Sequence, residues 1–101
     1  MRYKYQFMID CKLPEELTSD FLELMPLQRE ITNVLFAEGK LINYALSIES
    51  SRIWAIFNAN SENELYETMA KLPLMEFLEP TISQLTFYNT VQKFSPSFSF
   101  N

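Results

Sequence analysis

The apolar residues of this chain switch between two spacings, and the order of the switches leaves few folds open. "RYKYQFMID" (2–10) sets Tyr3, Tyr5, Phe7 and Ile9 against Arg2, Lys4, Gln6 and Met8. That period of two predicts a strand with one strongly apolar face. Between about Ser19 and Glu38 the period becomes helical. At about 100° per residue, Phe21, Leu24, Met25, Ile31 and Leu35 share a side, which Leu17 extends, while Glu23, Glu30 and Asn33 lie opposite. Pro14-Glu15-Glu16 is suited to opening a first helical turn ahead of this span. Pro26 predicts a kink or break near Met25, and Gly39 a C-terminal stop. "KLINYALSIE" (40–49) and "RIWAIFNAN" (52–60) then read as strands separated by Ser50-Ser51. Ser61-Glu62-Asn63-Glu64 has the pattern of a capping box. The helix it starts directs Leu65, Tyr66, Met69 and Leu72 inward and ends at Pro73. A last strand is expected at 81–89.

The order strand, helix, strand, strand, helix, strand is the split βαβ, ferredoxin-like arrangement. It is an α+β fold with an antiparallel four-stranded sheet and both helices on one face. Residues 1–90 form that domain, and 91–101, "VQKFSPSFSFN", are expected as a C-terminal arm in which Phe94, Phe98 and Phe100 share one side. The strand patterns also place apolar residues on the face away from the helices. Trp54 and Ile56 oppose Ile53, Ala55 and Phe57, and Ile42, Tyr44, Leu46 and Ile48 oppose Leu41 and Ala45. A broad apolar face is unusual on a monomer. The expected remedy is a second copy, two sheets face to face as a dimeric α+β barrel, as a homodimer or within a higher homo-oligomer.

Composition removes several chemistries. There is no histidine, a single cysteine and a single glycine. One chain therefore cannot build the usual zinc sites, and glycine-rich phosphate loops are excluded. The net charge of −5 argues against nucleic acid and anionic membranes as partners, because both need a basic footprint. It also opposes an RNA-recognition reading of the same strand order, as do missing Lys, Arg and Gly neighbours around the aromatic residues. The chain lacks an apolar run of about 18 residues, and "MRYKYQFMIDCKLP" has none long enough for a secretory signal. The lone Cys11 fits a reducing, cytoplasmic setting, as a small buried hydrophobe.

Against this frame "KLPLMEFLEPTI" (71–82) stands out. It is an apolar connector broken by Pro73 and Pro80, where polar turn residues are the rule. "KLPLMEFLEPTISQL" resembles the muconolactone δ-isomerase family, whose second helix runs into a Leu-Pro-Leu segment before the last strand. Leu72-Pro73-Leu74 matches it. Met75, Phe77 and Leu78 fall at its aromatic and aliphatic positions, and Glu76 replaces a proline. "KLPEEL" after the first strand and "FAEGKL" after the first helix extend the likeness over about residues 2–90. The resemblance implies ferredoxin-like subunits joined as barrel dimers. It further implies a cofactor-free shift of a double bond in a small unsaturated lactone by proton transfer, with the connector across the subunit junction walling a pocket.

Proton transfer between carbons needs a base of tuned pKa in a dry pocket. Gln28 lies in the middle of the apolar stripe of the first helix, where the resemblance implies an acidic residue. An amide orients a carbonyl but does not take up a proton. Glu76 and Glu79 in the connector are the alternative carboxylates. Arg52 and Trp54, on one side of the third strand, are candidates to hold a carboxylate beside an aromatic wall. Tyr5 and Tyr44 are candidates to offer hydroxyls, and Met75 and Phe77 to line the pocket. The candidate catalytic residues are thus Gln28 and Glu76, and the candidate substrate-binding residues are Tyr5, Tyr44, Arg52, Trp54, Met75 and Phe77, with no metal and no cofactor. Two functions stay open: an isomerase acting on a small lactone or related carboxylated ring, and a non-catalytic module of the same fold that binds a small apolar carboxylate or serves assembly.

Overall fold

Alternation in the first segment produces β1 (Tyr5–Lys12), which becomes an inner strand of a four-stranded sheet. The computed structural model describes residues 3–86. After β1 come α1 (Ser19–Ala37), β2 (Leu41–Ser47), β3 (Arg52–Ala59), α2 (Glu62–Met69), a 3-10 turn (Pro73–Phe77) and β4 (Glu79–Gln84). The sheet order is β2-β3-β1-β4 with every neighbour antiparallel. This is the predicted split βαβ fold. The expected carboxyl arm, and residues 87–89 of the predicted last strand, lie outside the described residues.

Phe7, Ile9 and Cys11 of β1 pair with Phe57, Ala55 and Ile53 of β3, and all six are buried. Phe21 and Leu35 of α1 and Leu65 and Met69 of α2 close over them in one core. Both helices therefore cover the same face. Pro80 lies in β4, an edge strand, where a missing N–H costs no ladder hydrogen bond.

Local chemistry sets the helix ends. Thr18, not the Pro14-Glu15-Glu16 run, begins α1: its hydroxyl accepts from Phe21 N at 3.3 Å, and the earlier residues form no helix. Nor does α1 break at Pro26. It runs unbroken from Ser19 to Ala37, and the carbonyl that Pro26 leaves without a donor belongs to Leu22, on the exposed side. Gly39, with φ of 75°, turns the chain out of the helix. At α2, Ser61 Oγ accepts from Glu64 N at 3.1 Å, while Glu64 Oε1 accepts from Asn60 N at 2.9 Å, one residue earlier than in a standard capping box.

Two features of the hairpin depart from the sequence reading. β2 ends at Ser47, and Ile48–Ser51 make the turn, closed by Ser51 N donating to Ile48 O at 3.1 Å with Ser51 at φ 54°. The register also slips between Leu41 and Asn43, so that Tyr44 pairs with Ala55 and Leu46 with Ile53. One extra residue turns every following side chain to the other face. Tyr44 and Leu46 thus share the helix-covered side with Leu41, contrary to the alternation read from the sequence. The open face holds Met8, Trp54 and Ile56, framed by the Asp10–Arg52 ion pair and the Gln6–Asn58 hydrogen bond. Ile56 is buried and Met8 and Trp54 are half-buried within the single subunit. Large apolar residues are exposed elsewhere, among them Leu22, Leu27, Val34 and Phe36 on α1, Leu46 of β2, Ile48 in the turn and Tyr66 on α2.

Burial pushes the Cys11 thiol up to about 11, with a smaller push from Asp10. Its folded-state value exceeds the unfolded one, so the folded state holds the proton more tightly. The resulting stabilisation is complete below the unfolded value, about 8.5, and is lost as pH rises through about 11. Urea midpoints are expected to fall between pH 8.5 and 11, and the native thiol to resist an aromatic disulfide reagent at pH 8 until the chain unfolds. Immediate stoichiometric labelling of the folded protein would contradict this.

Candidate functional site

Gln28 stands seven residues from both Phe21 and Leu35 on α1, two turns in each direction, and all three are buried. A buried amide must find partners, and they come from two other elements. The Leu74 backbone N–H, in the 3-10 turn, donates to Gln28 Oε1 at 3.1 Å, and Gln28 Nε2 donates to Tyr44 Oη at 3.1 Å. The amide is therefore oriented unambiguously, because a backbone N–H can only donate and so must face the oxygen. Tyr44 Oη is used as an acceptor by Gln28, which leaves its own hydrogen free for another acceptor. Burial pushes the Tyr44 phenol up; the Gln28 hydrogen bond opposes this and the neighbouring Cys11 adds to it. At neutral pH Tyr44 is a neutral donor.

Gln28 and Tyr44 line a cavity of about 450 Å³ on the helix-covered side of the sheet. Its floor includes Ile53 and Leu74, Leu13 and Leu17 of the β1–α1 connection close one end, and Met25 and Thr32 of α1 contribute the near wall. Leu22, Phe36, Leu46 and Ile48 rim it, and all four are exposed. Part of the exposed apolar surface of the subunit therefore surrounds the cavity mouth. Arg29 is the single charged residue among those lining it, and no aspartate or glutamate joins it among the described residues.

The site residues expected from sequence divide clearly. Gln28 and Tyr44 meet in the cavity. Met75 and Phe77 are half-buried against the core of their own subunit, Phe77 with its ring edge-on to Phe21 at 5.6 Å and 78°. Leu74 and Leu78 are buried there too. The connector's apolar character is thus accounted for by packing on α1 and the core, where the resemblance implied a partner subunit. Glu76 is exposed on the outside of this turn. Arg52 and Trp54 lie on the opposite sheet face, with Arg52 Nη1 donating to Asp10 Oδ1 at 3.0 Å. Tyr5 pairs with Ala59, six positions along β1 from the Cys11–Ile53 pair beside the cavity, roughly 20 Å away at strand rise.

Sequence reading missed Arg29, Thr32 and the rim. Leu22, Arg29 and Phe36 recur every seven residues, so two large apolar side chains mark a second stripe beside the buried one. That spacing was the available signal. Among the described residues no helix is long and apolar enough to cross a membrane, and no group of three His, Cys, Asp or Glu could hold a metal ion.

Comparison with known proteins agrees with this architecture. No curated protein matches the chain. Among solved structures, a crystal structure of muconolactone isomerase superposes with a TM-score of 0.68 at 17% identity, covering 89% of this chain and 97% of that one; at this identity the likeness speaks to fold alone. The sequence model of the family described as muconolactone delta-isomerase matches residues 2–90. With the whole described fold inside that match, the chain belongs to the muconolactone delta-isomerase family.

Proposed function

We propose that this chain is a small-molecule-binding member of the family, holding a small apolar carboxylate in the α1–β2 cavity without shifting its double bonds. One observation carries the reading: the polar side chains on the cavity's inner wall are an amide whose oxygen accepts from Leu74 N, the Thr32 hydroxyl, which donates to Arg29 O, and a phenol kept protonated. Moving a proton between carbons needs a group that accepts it near neutral pH. Among the described lining residues there is none. Gln28 acts as a positioning residue that turns the Tyr44 hydroxyl hydrogen toward an acceptor, and such a donor holds a ligand oxygen.

The isomerase reading rests on family membership. It requires a carboxylate from outside the lining, and Glu76, exposed on the connector, is the nearest candidate in sequence to Leu74. The test is an ultraviolet assay with muconolactone. Wild type is expected to give no loss of substrate above the uncatalysed rate. Turnover that disappears in Tyr44→Phe or Glu76→Gln would overturn the binding reading and restore catalysis to this cavity.

Homo-oligomerisation through the open sheet face is part of the same proposal. Half-buried Met8 and Trp54 supply its apolar centre, and the Asp10–Arg52 pair its polar rim. Sedimentation at micromolar concentration is expected to give a dimer or larger, and Trp54→Glu a monomer. A wild-type monomer would refute it. Buried Cys11 suits a reducing, cytoplasmic compartment.

A further inference from the structure

The inner wall of the α1–β2 cavity has donor hydrogens to spare, and its mouth has a charge to spare. At the inner wall, Gln28 Oε1 is taken by the Leu74 N–H, and one Nε2 hydrogen of Gln28 goes to Tyr44 Oη. The Tyr44 hydroxyl hydrogen and the second Nε2 hydrogen are left over. Their parent atoms stand 3.1 Å apart, and neither hydrogen meets an acceptor among the described residues. Thr32, which also lines the cavity, uses its own hydroxyl hydrogen on Arg29 O at 2.8 Å. Spare donors in a half-buried site are satisfied by water or by a ligand oxygen. A ketone oxygen has two lone pairs and no hydrogen of its own to place, so it matches two adjacent donors.

The mouth has the complementary requirement. Arg29 is exposed there, the single charged residue among those lining the cavity, and neither ion pair formed among the described residues includes it. A planar, always-charged guanidinium is suited to hold a carboxylate. The inner wall has no such cation. A second carboxylate placed there would lie against Ile53 and Leu74 without an opposing charge, and burial of an unpaired charge is costly. The cavity therefore has one place for an anion, at its mouth, and one for a neutral acceptor, at its inner end.

We infer that the cavity takes an oxo acid, its carboxylate on Arg29 at the mouth and its ketone oxygen accepting from the Tyr44 hydroxyl at the inner wall. This rests on the binding reading above and gives that reading two anchoring residues and a ligand class. Neither a lactone ring nor a double bond is required of the ligand.

The probe is a cyclohexane ring bearing a carboxylate and, directly across the ring, a ketone; being saturated, it has no double bond to move. Isothermal titration of the full chain compares it with cyclohexanecarboxylate, which lacks the ketone, with the dicarboxylate that has a second acid in the ketone's place, and with its own methyl ester. The oxo acid is expected to bind wild type about fivefold more tightly than cyclohexanecarboxylate, the worth of one neutral hydrogen bond, and the dicarboxylate to bind most weakly of the three acids. In Tyr44→Phe the advantage of the oxo acid over cyclohexanecarboxylate disappears. In Arg29→Gln the advantage of the acid over its ester disappears, and so does the weakening of oxo-acid binding by added salt, because salt screens the exposed charge at the mouth. A merely structural role for either residue would weaken all four probes alike. Because Arg29 is exposed, Arg29→Gln is expected to keep the wild-type circular dichroism and urea midpoint. Equal binding of the oxo acid and cyclohexanecarboxylate to wild type, or an oxo-acid advantage that survives Tyr44→Phe, would overturn the inference while leaving the binding reading intact. Failure of all four probes to bind wild type would defeat both.

Discussion

Replacing Phe57 by alanine is expected to lower the free energy of unfolding by about 3–5 kcal/mol. Phe57 is 1% exposed, sits on an inner strand, and lies opposite Phe7 of β1 and Leu41 of β2. Both flanking strands hold their backbones through the sheet ladder, so they cannot collapse into the space the ring leaves. The loss therefore combines the transfer free energy of the ring with a residual void. Domains of this size have only about 5–15 kcal/mol in total, so Phe57→Ala is left close to unfolding at 37 °C. Urea denaturation followed by circular dichroism measures it. The control is Leu27→Ala, at a residue 45% exposed on α1, which is expected within about 0.5 kcal/mol of wild type. Equal midpoints for the two variants would mean that the sheet centre is not where the core's stability resides.

Gln28→Ala is the second large effect, expected at about 2–4 kcal/mol. Its amide joins three elements: α1, the 3-10 turn through Leu74 N, and β2 through Tyr44. Truncation leaves a buried backbone N–H without an acceptor, and that desolvated donor, more than the lost bond, sets the cost. Gln28→Met separates the two contributions. It nearly restores the volume but supplies no acceptor to Leu74, so it is expected to recover only the cavity part. A Gln28→Met protein as stable as wild type would show that the bridge adds nothing to folding. The same substitution frees the Tyr44 hydroxyl to rotate, so ligand affinity should fall even where stability is largely regained.

These two residues differ in how far they could be read in advance. Phe57 is legible from alternation alone, since Ile53, Ala55 and Phe57 recur at period two within β3 and match Phe7, Ile9 and Cys11 in β1. Gln28 was legible as an anomaly, a polar side chain within the apolar stripe of α1, but its partners were not. Tyr44 is 16 residues away and Leu74 is 46 residues away. Nothing in local spacing announces that a backbone N–H from a proline-led turn will end beside an amide on the first helix. Tyr44 was moreover read on the wrong face, because period-two reasoning has no means of seeing the slip between Leu41 and Asn43.

The connector shows the same division. Its sequence announced an apolar segment that needed covering, and the resemblance implied that a partner would cover it. In the subunit itself Phe77 meets Phe21, and Leu74 and Leu78 are buried in the one core. Arg52, Trp54 and Tyr5, though chemically suited to a ligand, were separated from Gln28 by the sheet or by its length.

Element type and order came from the chain's own periodicity, because the spacing of apolar side chains is a local property: strands repeat at two and helices near 3.6 whatever they pack against. Helix ends were equally local, set by Ser61 and Gly39 through backbone geometry. The cavity, its Gln28–Tyr44 pair and its single guanidinium were decided by tertiary structure. The cavity lies where α1, β2 and the Leu13–Leu17 connection leave a gap; such a gap depends on distances between segments far apart in sequence, and a one-residue register slip that no local pattern records turns Tyr44 and Leu46 toward it.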